Sequence, residues 1–517
     1  MIEHVFVLML ENRSFDHMLG WSGLRGTDAA SGEPTAAAGL DGSESNELPS
    51  GDRVSVSRGA DYVLPVDPGH GFDDVLEQLC GRGATYPGAD GRYPPISNSG
   101  FASRLDELTH KSGAREDPGL VMRCFRPDQL PVMNALAREF AVCDHWFSSV
   151  PGPTWPNRLF VHAASAAGLD DSPTALRSAT ALFQGYTFAN GTIFDRLDKA
   201  GIAWRVVEGD ALPQVLGIGG MIERAVHGRF VTLDELSERL PDPKFSDSYV
   251  FIEPHYGHVL VDGSNFKCGN SQHPLDDVTR GEKLLKNVYE LIRRSPHWPR
   301  SLLVVLYDEH GGFYDHVAPP PCVPPGDVFP ADDNRHGFAF DQLGVRVPAL
   351  VISPLTPRGL IDHTVYDHSS LLATIEHLWG LEPLTRRDAA AAGFDHLFAL
   401  TAPREDTPTV LPDPADSGVP DCEDTLLHRL AGDLVDLPAE LSGPLEATLV
   451  GFIQVAVARE LHLAAATERD VGRAIDQERD RLLSTYHEIR TKFDAVRYLH
   501  GVARRYEETK QQQGGSR

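Results

Sequence analysis

The chain has 517 residues, enough for one large α/β domain with an appendage or for three modest domains. Its 41% apolar content, with 47 glycines and 38 prolines, is that of a loop-rich globular protein. A net charge of −27, from 47 basic against 74 acidic side chains, speaks against a nucleic-acid-binding protein and against electrostatic attraction to anionic membranes.

Residues 2–10 are short, nearly continuous in apolarity and rich in β-branched side chains, the pattern of a buried parallel strand. The run ends abruptly in Glu11-Asn12-Arg13-Ser14. Residues 25–60, rich in Gly, Ser, Ala and Asp, read as an excursion loop. Helices are predicted over 73–80 and 128–140, and a strand over 141–147 leads into VPGPTWPNR, whose prolines and glycine force a defined turn. A helix over 193–200 stops at Gly201 and a strand follows at 203–207. Further strands are predicted at 249–252, 301–307 and 347–354, and further helices at 278–294 and 368–380. This alternation to about residue 400 predicts an α/β fold with a mostly parallel sheet and helices on both faces.

Residues 401–438 read as a proline-rich linker or surface arm. Residues 439–512 carry helical spacing throughout and read as a tail of two or three helices, ending in a disordered QQQGGSR. The tail leaves three roles open: packing on the domain, homo-oligomerisation, or peripheral contact with lipid. The longest apolar candidate, 447–458, is too short to span a bilayer. No secretory leader is read, so the expectation is a cytoplasmic enzyme, or a secreted one if a leader was removed. The six cysteines form no CxxC pair and read as reduced thiols.

Two strands of one sheet end in hard oxygen donors, Glu11 and Asn12 after the first, Asp308 and Glu309 after 301–307. Alone, each pair reads more readily as a helix or turn cap; together they point to a divalent cation site. Thr154 sits in the rigid turn before a possible helix start, where it is an N-cap or, beside a metal, a nucleophile. Arg158 offers a planar fork suited to phosphate oxygens. Of 22 histidines, those in polar Gly/Pro-flanked turns are the candidates for proton transfer: His70, His255, His273 and His316.

These residues resemble a known family. ENRSFDHMLG (11–20), GPTWPNR (152–158), SQHPLDDV (271–278), DEHGGFYDHVAPP (308–320) and GVRVPALVISP (344–354) resemble the motifs of the bacterial and plant non-haemolytic, phosphatidylcholine-preferring phospholipases C, relatives of bacterial acid phosphatases. The resemblance spans roughly residues 2–400. It implies an alkaline-phosphatase-like fold and one or more divalent metal ions (Ca, Mg, Mn, Zn or Fe) held by Glu11, Asn12, Asp308 and Glu309. It further implies that Thr154 is both ligand and nucleophile, and that His70, His255 and His273 are active-site histidines. His273 or His255 is the expected general acid; Arg158, Asn157 and His316 are assigned to the substrate. The expected reaction is hydrolysis of a phosphatidylcholine-type lipid to diacylglycerol and phosphocholine through a phosphothreonine. The alternatives are a broad-range acid phosphatase and an inactive phosphate- or lipid-binding relative. The helical tail departs from bacterial members with β-rich C-terminal domains.

Overall fold

The computed structural model describes residues 2–88, 91–113, 116–173, 179–257, 268–329, 333–420, 447–468 and 470–514. The first part of the chain supplies β1 (His4–Leu10), β2 (Arg25–Asp28), β3 (Pro34–Ala36), β4 (Ser45–Glu47), β5 (Arg53–Ser55) and β6 (Ser57–Arg58). The rest supplies β7 (Arg123–Cys124), β8 (Ala141–Cys143), β9 (Trp204–Val207), β10 (Phe230–Val231), β11 (Tyr249–Ile252), β12 (Ser301–Tyr307), β13 (Ala349–Ile352) and β14 (Leu360–Asp362). Ten of these form one sheet in the order β10-β9-β11-β1-β12-β13-β8-β14-β2-β3.

β1 lies at the centre, parallel to β11 on one side and to β12 on the other. Every residue of β1 and β12 is buried, which is why neither strand shows apolar–polar alternation. The register sets Leu10 opposite Tyr307, so the residues after both strands emerge side by side. The predicted mostly parallel α/β architecture is therefore present. Two strands differ in direction: β13 runs antiparallel to both β12 and β8, and the edge strand β3 runs antiparallel to β2. A fully apolar run carries no sign of its direction.

The predicted loop over 25–60 instead contains five short strands, two of which extend the main sheet. They are polar edge strands with at most alternate residues half-buried, so they lack the apolar signature of the centre. The predicted helices appear as Phe72–Cys80, Pro131–Glu139, Ile193–Ala200, Val278–Arg294 and His368–Trp379. Gly201 ends its helix at φ +69°, the left-handed cap for which glycine is suited.

Residues 401–420 form an arm without regular structure, strapped to the domain by backbone acceptors. Tyr289 Oη donates to the Pro408 carbonyl at 2.7 Å and Arg404 Nη1 to that of Glu139 at 2.8 Å. The remainder of the predicted linker, 421–438, and the start of the tail lie outside the described residues.

The tail forms helices Ala447–Glu468, Val471–Glu488 and Lys492–Gly514. The last runs through Gln511–Gly514, where the sequence reading expected disorder. The first is long and apolar enough to cross a membrane over Leu449–Ala466, beyond the predicted end of its apolar run, but 78% of that window is buried within the protein. It is packed as a core helix. Its Phe452 ring lies 5.7 Å from those of both Trp155 and Tyr256. Its Arg459 is fully buried, bonded to Glu208 at 2.5 Å and to the Ala211 carbonyl at 2.8 Å. Cys80, Cys124, Cys143 and Cys322 are free thiols, but Cys268 is disulfide-bonded, which corrects the expectation of reduced thiols there.

Candidate active site

Three adjacent parallel strands, β11, β1 and β12, end in Glu253, Glu11 and Asp308. Glu253 is saturated: its oxygens accept from Gln214 N (2.7 Å), Val215 N (2.8 Å) and Tyr256 Oη (2.7 Å). It is a structural anchor. The other acids are not saturated. Glu11 Oε2 and Glu309 Oε1 are buried with no hydrogen-bond partner. Burial first, then neighbouring carboxylates, push the Glu11 and Asp308 acids up despite the opposing Arg158. Arg158 faces Glu11 and Asp308, while His70 and His310 lie beside Glu309.

Asn12 joins these acids to the nucleophile candidate. It adopts the left-handed conformation at φ +57°, uncommon for a side-chain-bearing residue and a mark of a functional turn. Its backbone N–H donates to Asp308 Oδ1 at 3.0 Å. Gly311 makes room for that turn: at φ +65°, an added Cβ would lie 2.2 Å from the Asn12 carbonyl oxygen. Thr154 Oγ1 donates to Asn12 Oδ1 at 3.4 Å. Thr154 opens helix Thr154–Ala163, whose N-terminus has no side-chain cap. The helix therefore presents free N–H groups and the positive end of its dipole beside the threonine hydroxyl.

Asn157 was expected at the substrate, but the structure corrects this. Its carboxamide donates to the carbonyls of Val150, Gly152 and Pro153 at 3.0–3.1 Å and accepts from Val150 N at 2.9 Å. It staples the turn that aims Thr154. Arg158 was also expected to grip phosphate. Its Nε donates to Asp308 Oδ2 at 3.0 Å, and its Nη2 to the carbonyls of Met9 and Leu10 at 3.3 and 3.2 Å. Nε and Nη2 hold the acidic strand ends together, while Nη1 is buried with no protein partner and is left for a substrate oxygen.

The histidines separate by environment. His70 Nε2 lies 3.4 Å from Asn12 Nδ2, and its Nδ1 faces Asp67 Oδ1 at 3.3 Å. Burial opposes its charge, but Glu309 and Asp67 outweigh that and hold the ring well above the usual histidine range. His273 Nε2 lies 3.7 Å from the other Asp67 oxygen, and burial pushes this ring down to about 3. His255 is half-buried after β11, its Nδ1 accepting from Gly257 N at 2.9 Å. His316 lies in a different network: it bonds Asp16 Oδ2 at 2.7 Å, and Arg346 bridges Asp16 and Asp315 at 3.0 and 2.8 Å. Its assignment to the substrate is therefore carried by a group outside the Thr154 cluster. Asp67, which joins His70 to His273, was missed, although Asp67-Pro-Gly-His70 is a visible acid–histidine spacing in a turn.

A profile of the phosphoesterase family matches residues 2–382. The chain belongs to the phosphoesterase family. It is 38% identical over 458 residues to non-specific phospholipase C6 of Arabidopsis thaliana, covering 86% of this chain and 81% of that relative. It is 29% identical over 432 residues to phospholipase C B of Mycobacterium tuberculosis, covering 78% of each. A solved structure of an alkaline phosphatase superfamily protein from Vibrio parahaemolyticus is similar over 51% of this chain and 64% of that one, at 14% identity and a TM-score of 0.30. Family and relatives together make this phosphoesterase a phosphoric ester hydrolase.

Proposed function

We infer that this phosphoesterase is a phospholipase C acting on phosphatidylcholine-type glycerophospholipids, with Thr154 as its nucleophile. One observation supports that site above all: an uncapped helix N-terminus sets Thr154 Oγ1 against Asn12, beside buried carboxylate oxygens that have no protein partner. The lipid assignment is supported by relatives named as non-specific phospholipases C.

The unpartnered carboxylate oxygens fit a divalent cation. Glu11, Asn12, Thr154, Asp308 and Glu309 would hold it, and when bound it supplies Lewis acidity to the threonine hydroxyl and charge neutralisation to the phosphoryl oxygens. The protein's own groups do the rest. Asn12 orients Thr154 Oγ1 for in-line attack at phosphorus. The N–H groups at the start of helix Thr154–Ala163 face the charge that gathers on the equatorial oxygens. Arg158 keeps Asp308 and Glu11 in place.

His70, rather than His273 or His255, is the group we assign to protonating the diacylglycerol oxygen, because its ring reaches Asn12 and Asp67 backs it. The Oγ–P bond forms, with the threonine proton passing to solvent, as the P–O bond to diacylglycerol breaks and its oxygen takes the proton from His70. Water then cleaves the phosphothreonine and frees phosphocholine. The test is phosphocholine release from phosphatidylcholine micelles beside phosphate release from a soluble phosphomonoester. Wild type and Thr154→Ala are compared after chelation and metal add-back. Release from lipid that vanishes in Thr154→Ala, with the fold unchanged, is the expected result. Phosphate release from the monoester alone would overturn the lipid assignment, and undiminished turnover by Thr154→Ala would overturn the nucleophile.

A further inference from the structure

Away from Thr154, on the same carboxyl-terminal rim of the sheet, the ends of β8 and β14 bring Asp144, His145 and His363 together. The Asp144 side chain is fully buried, while the two imidazoles are 25% and 32% exposed. His145 Nδ1 lies 2.7 Å from Asp144 Oδ1, and His363 Nδ1 lies 2.9 Å from the same oxygen. His363 Nδ1 lies equally 2.9 Å from Asp144 Oδ2, and the Ala38 backbone N–H donates to that oxygen at 2.7 Å and holds the carboxylate between the rings. Behind His363, its Nε2 meets Thr35 Oγ1 at 3.0 Å and Asp28 Oδ2 at 3.7 Å. Asp28 is itself oriented by the Ala30 and Ser31 N–H groups, both on Oδ1.

We propose that Asp144, His145 and His363 form a second, structural site for a Zn²⁺-like transition-metal dication, separate from the phosphoester site. Two imidazoles and one carboxylate are the donor set of borderline ions such as Zn²⁺, and a poor one for Ca²⁺ or Mg²⁺. Tetrahedral coordination at roughly 2.0–2.1 Å spaces ligand atoms about 3.4 Å apart. Each imidazole stands at hydrogen-bond distance from Asp144, and the three ligand atoms lie within 4.8 Å of one another, so an opening of the His–Asp contacts by about half an ångström or slightly more admits the ion once both rings carry their proton on Nε2. With Nδ1 on the metal, the His363 proton moves to Nε2 and is donated to Thr35 Oγ1, the outer-shell contact that fixes a ligating histidine. Asp144 and the nearby Asp28 together balance a charge of +2. A water takes the fourth position.

The site would tie three segments together. Asp144 follows β8, His363 follows β14, and Thr35 and Asp28 belong to the β2–β3 pair at the sheet edge. That pair contributes little apolar area, so a metal clamp compensates for what its residues cannot bury.

The experiment uses the full chain, stripped with chelator and titrated with Zn²⁺ and with Co²⁺, whose visible absorption reports a histidine-containing site. Stoichiometry is read by elemental analysis and stability by thermal unfolding with and without Zn²⁺. Wild type is compared with His145→Gln, His363→Gln and Thr35→Val. The expected result is one fewer Zn²⁺ per chain in either histidine variant, with loss of the Co²⁺ spectrum and of part of the Zn²⁺-dependent rise in melting temperature. Thr35→Val, which removes only the backing contact, should weaken the same site roughly tenfold. Identical stoichiometry and spectra in wild type and His145→Gln would overturn the proposal and leave a hydrogen-bonded His–Asp–His cluster. His145 is partly exposed, so its variant carries the test if His363→Gln does not fold.

Discussion

Gly451, on the first tail helix, lies far along the chain from Thr154 and yet presses on its neighbour. A Cβ there would sit 2.2 Å from Trp155 Cε2, 2.3 Å from Cζ2 and 2.5 Å from Nε1. Carbon atoms need about 3.5 Å or more, so Gly451→Ala requires the ring or the helix to yield by roughly 1.3 Å. Trp155 is boxed in, 1% exposed and packed against Phe452 and Tyr186. It directly follows Thr154, at the start of the same helix. If the ring yields, Thr154 Oγ1 leaves its contact with Asn12, and an ångström-scale misplacement costs about a hundredfold in rate. The overpacking itself should cost about 1–3 kcal/mol. The assay is kcat on phosphatidylcholine micelles and on a soluble monoester, with thermal unfolding and hydrogen exchange over Ala447–Glu468. The expected outcome is a large loss of kcat in a folded protein. A kcat within twofold of wild type, with faster exchange in the tail helix, would refute the reasoning, because the helix and not Trp155 would have moved.

Two further perturbations follow from buried charge. Burial pushes Glu208 up, yet Arg459 and Lys510 outweigh it and hold the carboxylate below its usual range. A carboxylate depressed on folding contributes stability that is complete above the unfolded pKa and is lost as pH falls through the folded value. Docking of the tail should therefore weaken on the acid side, and Glu208→Gln should both lower the melting temperature near neutrality and flatten its acid limb. An unchanged pH profile of melting would refute this. Arg158→Met should leave Glu11 and Asp308 buried without a counter-charge, at about 3–5 kcal/mol. Denaturant unfolding measures that loss, and a divalent cation should restore part of it; a loss below about 1 kcal/mol would show that the acids are neutral without the arginine.

What could be read from the sequence was what local pattern encodes. β1 and β12 are buried on both faces, so they stand out as apolar runs, and the polar residues at their ends stand out against them. Thr154 was legible because three prolines rigidify its turn. Local pattern is silent where a partner distant in sequence decides a side chain's role. Asn157 in a Pro-Gly-Pro turn looks the same whether its amide meets a ligand or the turn's own carbonyls, and only the fold shows Val150, Gly152 and Pro153 taking all its donors. Arg158 is a phosphate fork or a strut depending on Asp308, 150 residues away. His316 is claimed by Asp16, 300 residues upstream.

The same reasoning explains the edge of the sheet. β2 and β3 bury too little to declare themselves as strands, and their place becomes visible only through residues that follow β8 and β14. Asp144 illustrates how much that costs a local reading. It was read only as part of an apolar strand leading to Thr154, whereas in the fold it collects Ala38, His145 and His363 from three parts of the chain. A fully buried carboxylate is stable only with such partners, so its burial is evidence that the excursion over 25–38 is folded onto the sheet rather than looped away from it.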